Sequence, residues 1–267
     1  MIRDLRLAAR TLMQAKGWTT VVVVCLALGI GANTAIFTAV NGLLLRKLPV
    51  EDPDTLVRLR HAGRNDMATD SSDYGFSGKD AHGRDIRTTF SYPMYQTFVD
   101  ENRTMADLFA CAPLGRVNVV VDGQADFASA FVSTGNYYRL LGITARLGRT
   151  ILPEDDRPGA APVAVISHRY WRSRFGGDRR AIDKVVLVNN VPVTIVGVLP
   201  PEFSGVQRAV SDGHDIAVPL RADLRLDTRG ERLDEPTRWW LQIVGRLKPG
   251  ATVAQVQANL EGVFRQT

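Results

Sequence analysis

Residues 17–45 read GWTTVVVVCLALGIGANTAIFTAVNGLLL, and no charged side chain falls between Lys16 and Arg46. As a helix these 29 residues would run about 43 Å at 1.5 Å per residue. Roughly 20 apolar residues cross the hydrocarbon core of a bilayer, so the stretch spans it and projects beyond one face. Ahead of it Arg3, Arg6, Arg10 and Lys16 stand against one acid, Asp4, a net charge of +3. The positive-inside rule puts that block in the cytoplasm and everything after about residue 48 outside, which in a double-membrane bacterium is the periplasm. A cleaved secretory signal is the competing reading, with Val21–Ile30 as its apolar core. The uncharged run is about twice the usual length of such a core, and no clear Ala-x-Ala site follows it. A retained single-pass anchor in a bacterial inner membrane is therefore expected.

Within the span, Ala27, Gly31, Ala35 and Ala39 recur every fourth residue. Small side chains at that spacing let a second helix approach closely, which is how helices associate in lipid. Asn33 lies near the centre of the span and Asn41 nearer its outer end. An amide facing lipid costs energy, so both are expected to face protein or headgroups. One isolated helix supplies no such partner, which points to further membrane helices from another segment or subunit.

Outside this block the chain is ordinary. Of its 267 residues 45% are hydrophobic and 23% charged, with a mean hydropathy of −0.06. That composition excludes a disordered tail and a multi-span bundle. The formal charge of +5 and a pI near 9.5 suggest nucleic acid at first sight. After residue 16, however, 251 residues carry 29 basic and 27 acidic side chains, so no nucleic-acid partner is expected. Two cysteines, Cys25 and Cys111, exclude a disulfide scaffold and a Cys-based zinc site.

The remainder reads as α+β, because strands and helices mix without strict alternation. Residues 61–89 are polar and read as a long irregular loop. Ser91 is placed to cap a helix over Tyr92–Asp100, with Pro93 tolerated in its first turn. Arg116–Val121 and Ala125–Val132 form a hairpin around Asp122-Gly123. Asn136–Leu141 is a short helix ended by Gly142, and Val163–Ile166 is a strand. Ser167 caps a helix over His168–Phe175 that Gly176-Gly177 ends. A second hairpin pairs Val185–Val188 with Val191–Val198 around Asn189-Asn190. Ile216–Leu220 and Trp239–Leu247 are strands, and alternation along the latter sends one of Trp239 and Trp240 to the core and the other outward. Thr252 and Gln255 have capping-box spacing ahead of a helix carrying Val253, Val256, Leu260, Val263 and Phe264.

Motifs for chemistry are missing. His61, His82, His168 and His214 are far apart and none has metal-pair spacing. Gly75–Asp80 lacks the spacing and the Ser or Thr of a phosphate loop. Glu154-Asp155-Asp156 reads as a solvated loop or the start of a helix rather than a cation site. Ser167 and His168 are adjacent, which does not make a triad, and no G-x-S-x-G appears. Arg169, Arg172, Arg174, Arg179 and Arg180 lack the interleaved aromatics of a nucleic-acid surface. No enzymatic activity, catalytic residue, metal or cofactor is expected.

Several quoted stretches, taken in order, do carry a resemblance. They are Asp4–Leu12, Leu28–Phe37 and Asn41–Pro49, then Val132–Gly142, Leu147–Thr150 and Pro153–Asp156. Val163–Ser167, Trp171–Gly177 and Thr194–Pro200 complete the series. The chain resembles MacB-like ABC transporter permeases, especially the duplicated orphan permeases of the acidobacterial type. The resemblance implies a first membrane helix, a periplasmic core domain, and then an FtsX-like bundle of three more helices. It implies an inserted lobe at residues 132–213 and a porter-like part at 48–131 and 214–267. It also implies a separate ABC ATPase subunit as partner and a homodimer or pseudo-dimer of permease halves. The three later helices are not in this sequence, so an N-terminal portion of such a permease is expected. A stand-alone anchored binding or adaptor module is the alternative.

Overall fold

The structure, a computed structural model, describes residues 16–40, 49–63, 67–68, 70–71, 77–206, 213–221 and 233–266. Arg3, Asp4, Arg6, Arg10, Asn41 and Arg46 lie outside the described residues. The chain forms two compact units, Met1–Lys47 and Leu48–Thr267.

The first unit contributes one helix, α1 (Lys16–Val40). Its segment Lys16–Phe37 is long and apolar enough to cross a membrane. Trp18, Val21, Leu28 and Phe37 all stand exposed on it, a set of side chains suited to lipid rather than water. Thr20 and Thr34 donate their hydroxyls to the carbonyls of Lys16 and Ile30, so neither hydroxyl is left unsatisfied in hydrocarbon.

The second unit is built around strands. In chain order β1 (Leu56–Arg58), β2 (His61–Ala62), β3 (Asp70–Ser71), β4 (Gly78–Lys79), β5 (Asp85–Arg87) and β6 (Thr89–Phe90) precede α2 (Tyr92–Asp100). β7 (Met105–Val121) and β8 (Gln124–Ser133) follow, then α3 (Tyr137–Leu140), β9 (Leu147–Gly148) and β10 (Val163–Ile166). α4 (His168–Phe175), β11 (Val185–Val188), β12 (Val191–Val198) and β13 (Ile216–Pro219) come next. β14 (Arg238–Trp239), β15 (Leu241–Leu247) and α5 (Val253–Gln266) end the described chain. The turn residues are those that tolerate positive φ: Asp122 and Gly123 between β7 and β8, Asn189 and Asn190 between β11 and β12. Ser91 and Ser167 cap α2 and α4 as their spacing predicts, and Gly176 ends α4 in the left-handed conformation. Thr252 and Gln255 exchange the two bonds of a capping box at the start of α5.

Pairing among these strands closes on itself. The end of β7 pairs with β11, which pairs in turn with β12, β10, β13 and β8, and β8 returns to β7. Two of the six seams, β10–β12 and β8–β13, are parallel. Alternate residues fill the inside of this ring: Val117, Val119 and Val121 from β7, Ala128, Ala130 and Val132 from β8, Val193 and Ile195 from β12, and Ile216 and Val218 from β13. Each fully buried Val or Ile contributes about 1.5–3 kcal/mol. Residues of the opposite parity, Phe131, Val165 and Ala217, face a second core with Phe109, Tyr137, Tyr138 and Leu141. Gly197 and Gly148 are partners across β12 and β9. A Cβ on Gly197 would stand 1.9 Å from the Arg149 carbonyl oxygen, so only glycine lets the two backbones approach this closely.

Beyond the ring, β15 pairs with the first half of β7 and with β1 and β6. Here the structure lengthens one expected element and splits another. β7 begins at Met105 rather than Arg116, because Leu108–Ala112 are buried on both faces and show no alternation. A register shift between Pro113 and Gly115 accommodates the proline. The strand expected at Trp239–Leu247 breaks at Trp240, whose backbone N–H donates to the Phe90 carbonyl. Trp239 and Trp240 are both buried, which corrects the expectation that one faces outward. The polar stretch 61–89 is likewise not one irregular loop, since β2, β5 and β4 pair within it.

Candidate functional site

In α1, Ala27, Gly31 and Ala35 are exposed and share one face, and Ala39 continues the four-residue spacing. Asn33 is exposed too. It lies about 200° round the helix from Gly31, on the opposite side from the small-residue face. The structure therefore does not bring the Asn33 amide and the small-residue stripe together.

In the second unit, the acidic turn holds the fold together internally. Asp155 pairs with Arg149 through two bonds of 2.5 and 2.9 Å and accepts the backbone N–H of Leu152. Asp156 accepts the backbone N–H groups of Gly135 and Arg221, while burial pushes its carboxyl above the usual range. Asp215 accepts the backbone N–H and hydroxyl of Ser129 on β8 and an Arg169 guanidinium N–H at 2.9 Å, which ties α4 to the β8–β13 seam. Arg180 pairs with Asp178, and Arg174 donates to the Gln124 carbonyl. The basic cluster is thus spent partly on internal bonds. Among the described residues no three His, Cys, Asp or Glu side chains gather as metal ligands. Cys111 is buried and its thiol is pushed up to about 12 by desolvation, which leaves it unreactive.

Among the described residues, the most heavily bonded side chain is one that sequence reading does not single out. Arg246 sits on β15, opposite Leu56 of β1 on one side and Asp107 of β7 on the other. Its Nε and one terminal nitrogen donate to the Leu140 carbonyl at 3.2 and 2.7 Å. The same terminal nitrogen donates to the Glu51 carbonyl at 2.6 Å. The other donates to the Asp52 carbonyl at 3.0 Å and the Thr55 hydroxyl oxygen at 2.6 Å. A guanidinium has five N–H donors in a fixed planar fork, so every donor has an acceptor here. Three segments meet at it: residues 51–55, the C-terminal end of α3, and β15.

The held segment is locked from other directions as well. The Glu51 N–H donates to the Leu141 carbonyl at 2.9 Å. Val50 and Leu56 pack against the second core. Gly142, with φ of +69°, presents no side chain where a Cβ would stand 2.6 Å from the Glu51 Cβ. Asp52 is left-handed at φ 40° and precedes Pro53. A non-glycine residue held there costs about 1 kcal/mol, which the surrounding bonds offset. No motif in one sequence marks such a cluster, because its partners are mostly backbone carbonyls far apart in the chain. The single legible hint is Asp52-Pro53, a turn signal next to the strand start at Leu56.

Comparison with known proteins is consistent with this architecture. The family model described as the MacB-like periplasmic core domain matches residues 19–263. The crystal structure of the periplasmic region of MacB from Actinobacillus actinomycetemcomitans superposes with a TM-score of 0.56 at 11% identity, over 84% of this chain and 88% of that one. At this identity the likeness speaks for the fold. The extracellular domain of the noncanonic ABC-type transporter YknZ from Gram-positive bacteria gives a TM-score of 0.44 at 15% identity, over 64% of this chain and 79% of that one, too weak to argue from. No curated protein sequence matches the chain.

Proposed function

Because the chain belongs to the family of MacB-like periplasmic core domains, we propose that it is the anchored extracytoplasmic part of an ABC transporter permease that transmits movement from a separate ATPase. The observation that carries this reading is the Arg246 cluster. The segment it grips, residues 51–55, begins six residues after the uncharged run ends at Leu45. A pull on that segment is passed at once to β15 and α3, and through β15 to β7 and the ring. A freely hinged linker would dissipate it. The chain itself supplies positioning and load transfer, and ATP hydrolysis belongs to the partner.

In this proposal the N-terminus is cytoplasmic and residues 48–267 are periplasmic. The porter-like part, 48–131 with 214–267, meets the inserted lobe, 132–213, along the β7–β11 and β10–β13 seams. The small residues Ala27, Gly31, Ala35 and Ala39 take a second membrane helix, in a homodimer or a pseudo-dimer of permease halves. Asn33 and Asn41 take polar partners in the same assembly.

The test is crosslinking of the full chain in its native membranes, followed by purification and identification of what comes with it. Recovery of an ABC ATPase, whose hydrolysis rate in the reconstituted complex changes with Arg246→Met while the complex stays together, is the expected result. A chain that purifies with no ATPase sinks the reading and favours a stand-alone adaptor. Orientation is tested with Phe127→Cys, an exposed site on β8. In a Cys25→Ala background, where the remaining Cys111 is buried, a membrane-impermeant maleimide labels it from the periplasm.

A further inference from the structure

The outer face of the ring breaks the pattern of its own sheet. Inward residues of β7, β8, β11 and β12 fill the core, and the outward ones of a sheet that faces water are ordinarily polar. One cross-strand row is instead apolar from end to end. Ala125 of β8 lies opposite Val120 of β7, Val120 opposite Leu187 of β11, and Leu187 opposite Pro192 of β12. Val185, two residues before Leu187, and Phe127, two residues after Ala125, share the outer face and extend the row on either side. None of these is a core side chain. Phe127 is 59% exposed, Val185 57% and Leu187 38%, and Ala125 and Pro192 are exposed as well. The row crosses the β7–β11 seam without a polar interruption.

Two features of the patch select its occupant. The first is charge. At the margin the Arg116 guanidinium stands 4.8 Å over the Phe127 ring, and neither Arg116 nor Asp126 makes an ion pair among the described residues. Lys184 and Asp122 pair with each other at 2.6 Å. The margin thus carries two charges of each sign and no net charge. It favours neither a polyanion nor a polycation, and a two-fold axis brings each sign to its opposite on an identical surface.

The second feature is size. The six residues expose on the order of 400 Å², about half of the roughly 800 Å² that each partner of a standard interface buries. That area is too small to hold two free proteins together. It suffices where another attachment already keeps two copies at an effective concentration in the millimolar range. Association of α1 through its small-residue face supplies that attachment.

We propose that the outer ring face centred on Val120 and Leu187 pairs with the same face of a second copy of this chain. The contact rests on the permease dimer proposed above and adds the surface through which its extracytoplasmic domains touch.

The test uses the full chain in its native membranes, in a Cys25→Ala background with one added cysteine at a time and a short bis-maleimide. Leu187→Cys and Ala125→Cys are expected to yield crosslinked dimer at least about tenfold above Arg139→Cys, an exposed site on α3 outside the patch. Val185→Asp puts a charge into the contact and lowers the Leu187→Cys yield at least about tenfold. Its site is exposed, so the core is left intact. Pro192→Asp, at the end of the row, gives the same loss and decides the matter if Val185→Asp fails to fold. Disulfide trapping at Ala27→Cys reports the α1 contact separately. Patch cysteines that crosslink no better than Arg139→Cys overturn the proposal: if Ala27→Cys is still trapped the dimer stands without this face, and if it is not the dimer falls too. Crosslinks from residue 187 to a different protein, or yields indifferent to both aspartate variants, overturn it as well.

Discussion

Replacing Arg246 by methionine keeps most of the side chain's length and removes every donor. Four acceptors lose their partner: the carbonyls of Leu140, Glu51 and Asp52 and the hydroxyl of Thr55. Arg246 is half-buried, so water reaches part of the vacated space. A net loss of roughly 0.5–1 kcal/mol per acceptor is then reasonable. The sum is about 3 kcal/mol, and relaxation of the strained Asp52 returns a small part of it. For a unit of this size that lowers the melting temperature by roughly 6–12 °C. Lysine keeps the charge but brings three donors on one nitrogen, so Arg246→Lys recovers about half the loss. The local signature is sharper than the global one. The amides of Glu51 and Thr55, which donate to Leu141 and Asp52, exchange with solvent up to about 100-fold faster if local opening is eased by 3 kcal/mol. Circular dichroism melts of the full chain in detergent, with hydrogen exchange read by mass spectrometry, give both numbers. A loss below about 1 kcal/mol, with unchanged exchange over residues 49–56, refutes the clamp.

Other perturbations follow from the same packing. His214 stacks on Phe131 at 4.5 Å, and burial lowers its pKa to about 4. The unfolded chain takes that proton first, so the contribution is complete above about pH 6.5 and is lost as pH falls toward 4, by roughly 3 kcal/mol. His61, also lowered, adds in the same direction. His214→Phe keeps the stack and flattens this part of the stability–pH curve measured by denaturant titration; an unchanged slope rejects the assignment. Gly197→Ala drives a methyl into the Arg149 carbonyl and costs roughly 3 kcal/mol, seen as a shifted urea midpoint; a neutral result would mean that β9 can move away. Gly31→Leu leaves the melting of Leu48–Thr267 unaltered but weakens helix association in membranes at least about tenfold. Disulfide trapping with single cysteines along the small-residue face measures this, and undiminished trapping removes the packing role.

Much of this fold was legible residue by residue. Strand and helix limits at Tyr92–Asp100, Val163–Ile166, His168–Phe175 and the Asn189-Asn190 hairpin coincide with the structure because each is bracketed by a cap or a positive-φ turn. The first half of β7 was not legible, because a strand buried on both faces has no period of two to read. Nor was β1, whose three residues follow a proline-led turn and are fixed by pairing with β15, far away in the chain. The long apolar helix that begins at Lys16 was legible from length and composition alone. Arg246 was not, because a lone arginine in a strand looks like any half-exposed residue until its carbonyl partners are in place. His61 shows the same limit, since only the assembled rings of Phe90, Trp239 and Phe264 make its burial evident.

Closure of the six-stranded ring has a consequence in time. The β7–β8 hairpin is local and can form as soon as Ser133 has been synthesised. Its far edge is completed only when β13 arrives, since Ser129 and Asp215 are 86 residues apart. At roughly 5–20 residues per second, that edge stays unpaired for about 4 to 17 s while the chain is being made. An unpaired apolar strand edge is a template for mispairing. Ile216–Pro219 is the last of the ring's strands in chain order, so its pairing with β8 and β10 is what closes the ring.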